Sequence, residues 1–130
     1  MCRYVNDPPR KKITILERDA TDGGWFSATS AIELPHMADN IALVPETGEI
    51  VMGTMIDLAK VLERMLGPDP QSVEVMGGIA IAKPPATKGG EWTVEDGVIH
   101  DGSMLSQISA AIVHGSRTIL GSPFSKGLLV

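Results

Sequence analysis

Histidine and aspartate offer this chain its clearest route to chemistry. His36 and the pair His100-Asp101 would supply two imidazoles and a carboxylate, a set that suits zinc, manganese or iron. The spacing does not demand a metal. Strong ligand motifs place their residues one helical turn apart or in Cys-x-x-Cys pairs, and neither occurs. Exposed or capping histidines are the ordinary alternative, so the expectation is no cofactor, with a divalent metal at His36, His100 and Asp101 as the exception to test. His114 is accounted for by the C-terminal end of a predicted helix, where its charge would meet the macrodipole.

Other reactive patterns are weaker still. Cys2, the single cysteine, can form no internal disulfide and fits a reducing compartment or a virion interior. With Met1 ahead of it, it lacks the free α-amine that N-terminal nucleophiles use. The pairs Gly23-Gly24, Gly77-Gly78 and Gly89-Gly90 lead into no phosphate-binding loop, and there is no Gly-x-Ser-x-Gly elbow. Two predicted helix starts, Gly53-Thr54 and Gly102-Ser103, would offer free N–H groups to an anion, as every capped helix does. Tyr4, Trp25, Phe26, Trp92 and Phe124 are too few for a base-stacking platform.

The elements that must carry these residues come from a chain of 130 residues, 43% hydrophobic and 21% charged. That composition excludes disorder and suits one domain over residues 1–130. No uncharged run of about twenty apolar residues is present, and the first twelve residues, with Arg3, Arg10, Lys11 and Lys12 around Pro8-Pro9, do not read as a signal peptide. The expected location is the cytoplasm or a virion, with no membrane partner. Charge is uneven: residues 1–18 carry +3, residues 19–101 carry −10 and the last 29 carry +2. An acidic body makes nucleic acid an unlikely partner. The basic arm, residues 1–11, could reach the acidic body of another copy or of a different protein, or fray into solvent.

A shift of 49 residues aligns 31–55 with 80–104, with eight identities, among them Pro35/Pro84, Gly48/Gly97, Gly53/Gly102 and Met55/Met104. Read as a duplication, this predicts two β-β-β-α copies, residues 24–66 and 72–114, with a last strand and tail over 115–130. Strands are expected at 12–18, 24–34, 40–44 and 49–52, and again at 72–83, 91–95, 98–101 and 117–120. Residues 12–18 should form a hairpin with the next strand across Asp22-Gly23-Gly24. The simplest architecture is an α+β fold, a mostly antiparallel sheet covered by two helices with pseudo-two-fold character. A small barrel or two half-sheets fits the same pattern.

The first helix, residues 54–66, should be capped by Thr54 and bury Met55, Leu58, Leu62 and Met65, leaving Asp57, Lys60, Glu63 and Arg64 in water. The second, residues 103–114, should bury Met104, Leu105, Ile108, Ala111 and Ile112. Its other face, Ser103, Ser106, Gln107, Ser109 and Ala110, carries no charge. A small neutral face suits close contact with another backbone, and the tail adds Leu128 and Leu129. These residues are the expected interface, unless the helix merely tucks under its own C-terminal strand. The functional expectation is a non-enzymatic assembly protein, a small acidic subunit of a homo-oligomer or of a larger particle such as a phage or virion. The alternatives are a small metal-dependent enzyme or ligand-binding domain at His36, His100 and Asp101, and an acidic inhibitor of a nucleic-acid-binding protein.

Overall fold

The computed structural model describes residues 1–21, 23–125, 127–128 and 130. Two expectations, Asp22 in the first hairpin turn and Leu129 in the interface, lie outside the described residues.

Two segments, Ile50–Met55 (β5) and Gly77–Lys83 (β6), are apolar at nearly every position rather than at alternate ones. Such a strand needs cover on both faces. The fold supplies it by making them the middle of an antiparallel sheet of order β4-β5-β6-β7, with Met37–Leu43 as β4 and Thr93–His100 as β7. On one face Ile50, Met52, Ala80 and Ala82 pack against Ile13, Ile15 and Ile32 of a second sheet, β1-β2-β3. That sheet is built from Cys2–Asp7 (β1), Lys12–Arg18 (β2) and Phe26–Glu33 (β3). On the other face Val51, Ile79 and Ile81 meet Leu105, Ile108, Ala111 and Leu120. The last two belong to a hairpin of Ala110–His114 (β8) and Arg117–Gly121 (β9). The result is three β layers around two cores, and each fully buried Ile or Val contributes about 1.5–3 kcal/mol.

This overturns the α+β expectation. Among the described residues there is one α-helix, Leu58–Leu66 (α1), and no second one over 103–114. Residues 103–109 instead cross the β5–β6 face so closely that a Cβ on Gly53 would stand 2.4 Å from the Ser109 carbonyl carbon. One on Gly77 would stand 2.7 Å from the Ile108 nitrogen. A helix, roughly 10–12 Å across with its side chains, cannot bring its backbone that near. Residues 110–114 then pair with 117–121 through the two-residue turn Gly115-Ser116, with Gly115 at φ +60°. Glycine first in such a turn matches the twist of the flanking strands.

The duplication fails with it. Glu46-Thr47-Gly48 is the β4–β5 turn, closed by the Gly48 N–H on the Val44 carbonyl at 2.8 Å. Its counterpart Glu95-Asp96-Gly97 lies inside β7, which runs unbroken where two strands were expected. There Gly97 and Val98 together oppose Ile79, a bulge. The two copies share turn-forming residues and not a structure, so no pseudo-two-fold relates the described residues.

The N-terminal residues are no free tether either. All six residues of β1 pair with β2, and Arg3 lies 4.3 Å from the Phe26 ring centroid. Asp7 closes the 3-10 turn Pro8–Arg10 by accepting from the Arg10 N–H.

Candidate functional site

The expected metal ligands are not gathered into one site: His100 Nδ1 lies 3.3 Å from Asp101 Oδ1, and His36 turns to a different carboxylate. His36 follows β3 and approaches Asp96 of β7, Nε2 to Oδ2, at 3.6 Å. His100 ends β7, and its Nδ1 accepts the Gly102 N–H at 3.0 Å. Asp101 is taken up by the same bend: its Oδ1 accepts from the Ser103 N–H at 2.9 Å and the Ser103 hydroxyl at 2.8 Å. Those bonds hold its carboxyl below the usual carboxylate range. Among the described residues no three His, Cys, Asp or Glu side chains converge on a point that could hold a metal. His114 sits opposite Arg117 beside the β8–β9 turn, where there is no helix dipole to meet.

The two expected anion sites lose their basis, because neither glycine starts a helix. Gly53 and Thr54 are interior to β5, with Thr54 buried and its hydroxyl oxygen without a partner. Gly102 and Ser103 lie in the bend after β7. The helix begins later, at Leu58, and the side chain of Asp57 itself accepts the Lys60 N–H at 3.0 Å.

The expected interface is divided. Ser103 and Leu128 are exposed, Ala110 is half-buried opposite Gly121, and Ser106 and Gln107 face inward. What they face is Arg64, expected in water and only 2% exposed. Its Nη2 donates to the Val73 carbonyl and to the Ser106 hydroxyl, and its Nη1 to Gln107 Oε1. The guanidinium lies 4.6 Å from the Phe124 ring centroid. Ser106 Oγ also accepts the Val75 N–H at 2.7 Å, and the Ser106 carbonyl accepts from the Ser122 hydroxyl. Burial lowers the pKa of the arginine, and no carboxylate compensates it among the described residues. The serine-rich neutral segment is thus the acceptor surface for an internal cation. Nothing local in the sequence separates that use from contact with another subunit.

Turning Arg64 and Val61 inward rolls the helix so that its apolar stripe faces out. Leu58, Leu62, Met65 and Leu66, at i, i+4, i+7 and i+8, are 45%, 48%, 67% and 84% exposed. The helix is therefore amphipathic, with its apolar side left largely exposed by the described residues. Lys60 and Glu63 pair at 2.8 Å away from the stripe, so no charge interrupts it.

No protein-family model matches this chain, and no curated protein sequence matches it. Among the described residues no helix is long and apolar enough to cross a membrane.

Proposed function

We propose that the protein is a non-catalytic assembly subunit whose contact surface is the outer face of α1, taken up by a second copy of the chain. The observation that carries this reading is the exposed stripe of Leu58, Leu62, Met65 and Leu66, four large apolar side chains gathered on one face of a single helix. An apolar stripe without charge is self-complementary. About a two-fold axis near Leu62, Leu58 of one copy meets Met65 and Leu66 of the other, and no ion is desolvated.

Size sets the strength. A nine-residue helix is about 13 Å long, so this face alone falls short of the roughly 1,200 Å² of a stable specific interface. Pairing of the isolated chain is therefore weak and concentration-dependent, and becomes firm only as one contact among several, which is the condition of a particle subunit.

Light scattering coupled to gel filtration, run from micromolar to near-millimolar protein, tests this. The wild type should move from monomer towards dimer. The double variant Leu62→Glu/Met65→Glu should stay monomeric with an unchanged unfolding midpoint, its pairing weakened roughly a hundredfold or more. A wild type that remains monomeric throughout, or a double variant that associates like it, removes α1 as the assembly surface.

A further inference from the structure

The free side of β3 has properties of its own. Among the described residues β3 pairs only with β2, so one row of its backbone N–H and C=O groups has no described strand beside it. Natural edges are usually protected by lysine, proline or covering segments. From Phe26 to Ile32 this one carries no charge and no proline, and Ser27 to Ala31 are all exposed. A cleft of about 660 Å³ opens here, and five consecutive β3 residues, Thr29 to Glu33, line it. Side chains of a strand alternate between faces, so an unbroken run of lining residues means that the cleft reaches round the edge of β3, while Cys2, Tyr4, Ile15 and Glu17 extend it across the face of the same sheet. Its far wall is the loop from Pro85 to Trp92.

The chemistry of the cleft is one-sided. Tyr4 and Trp92 meet edge-to-face in its lining, ring centroids 6.0 Å apart at 77°. Glu17, Glu33 and Glu91 line the same cleft with Lys88 as the one cation in its lining, and none of the four is in an ion pair among the described residues. Aromatic faces and carboxylates together favour an ammonium or guanidinium on an aliphatic stem.

We propose that the β3 edge is a strand-addition site for an extended peptide segment of a partner protein, with a lysine or arginine of that segment entering the cleft between Glu33 and Glu91 against Trp92. The backbone ladder supplies affinity without sequence preference, and the cleft selects the basic side chain. This site lies apart from the α1 surface and does not depend on it.

The test uses Trp25→Phe protein, in which Trp92 is the sole tryptophan. The probe is a short end-blocked peptide alternating valine and threonine around one central lysine, and tryptophan emission is the readout. Saturable perturbation of Trp92 is expected. It should weaken about tenfold or more when glutamate replaces the lysine, and about tenfold for the lysine peptide on Glu33→Gln/Glu91→Gln protein whose thermal unfolding is unchanged. N-methylation of the peptide's alternate amides, which keeps the charge and removes donors, should abolish binding. No perturbation of Trp92, or equal binding of the lysine and glutamate peptides, overturns the proposal. n-Butylamine binding as well as the peptide would make the cleft a small-amine site and overturn strand addition. Trp92 emission that changes with protein concentration alone would make the occupant a second copy and overturn the partner assignment.

Discussion

Arg64→Ala should lower the stability of the fold by about 3 kcal/mol, equivalent to a fall of about 10 °C in Tm for a chain of this size. The size of the effect follows from what the guanidinium holds. It joins four separate stretches of chain: its own helix, Val73 before β6, Ser106 and Gln107 in the crossing segment, and Phe124 in the C-terminal tail. Its removal leaves buried acceptors without donors and a void beneath Phe124, and each unsatisfied group costs about 1–3 kcal/mol. Arg64→Lys should restore less than half, because a compact ammonium has neither the planar fork that spans Val73 and Gln107 nor a flat face to lay on the Phe124 ring. Arg64→Met refills volume but not the hydrogen bonds, and should fall between wild type and alanine. Because no carboxylate is a partner, the deficit should be the same in mildly acidic and mildly alkaline buffer. Chemical denaturation of the four proteins checks this, and a loss for Arg64→Ala below about 1 kcal/mol would show that the arginine does not clasp these segments.

Gly53→Ala should cost about 3 kcal/mol or more, an unusual penalty for adding one methyl group. Ser109 is held in a narrow slot. Its carbonyl accepts both the backbone N–H and the side-chain Nδ2 of Asn40, at 2.9 and 3.1 Å, and its own N–H donates to Gly121 at 2.9 Å. Asn40 can reach it because Asp39 and Asn40 bulge out of β4 opposite Gly53. A Cβ at 53 would stand 2.4 Å from the Ser109 carbonyl carbon and 2.6 Å from the Ala110 nitrogen, both backbone atoms with no rotamer to yield. Either the crossing segment lifts from the sheet, loosening Leu105, Ile108 and Leu120, or β5 shifts and loosens both cores. Gly127→Ala, with nothing within 4 Å of its Cβ, should stay within about 0.5 kcal/mol of wild type and serves as the control. Gly53→Ala protein with wild-type denaturation and near-ultraviolet dichroism would rule out the close crossing.

Most strands were readable, because their signal is local. Residues 12–18 alternate Ile13 and Ile15 with polar neighbours and form β2 as expected, while 24–34, 40–44 and 117–120 locate β3, β4 and β9 to within a few residues. The failures share a cause. Over 103–114, Leu105, Ile108 and Ala111 are indeed buried, at a three-residue spacing that also suits one face of a helix. The glycine that follows, Gly115, reads equally as a helix stop or as the first residue of a hairpin turn. The β-branched run Ile112-Val113 before it and Thr118-Ile119 after it favoured the hairpin, and was the available signal. The 49-residue repeat misled for a related reason: Glu-x-Gly serves a turn at Gly48 and a bulge at Gly97.

Residue types alone account for the antiparallel strands, the acidic charge of residues 19–101 and the presence of an amphipathic helix ending at residue 66. Each of these depends on residue types within a few positions of one another. Long-range packing settled that Arg64 lies inside and Leu62 outside, that 103–109 crosses close over the sheet, and that His36, His100 and Asp101 do not converge as a set of three. A periodic pattern says that a helix has two faces, and not which neighbour offers the better cover. Here acceptors more than 40 residues away, at Ser106 and Gln107, took the arginine. Burying the arginine against those acceptors goes with a helix turned so that its apolar stripe lies at the surface.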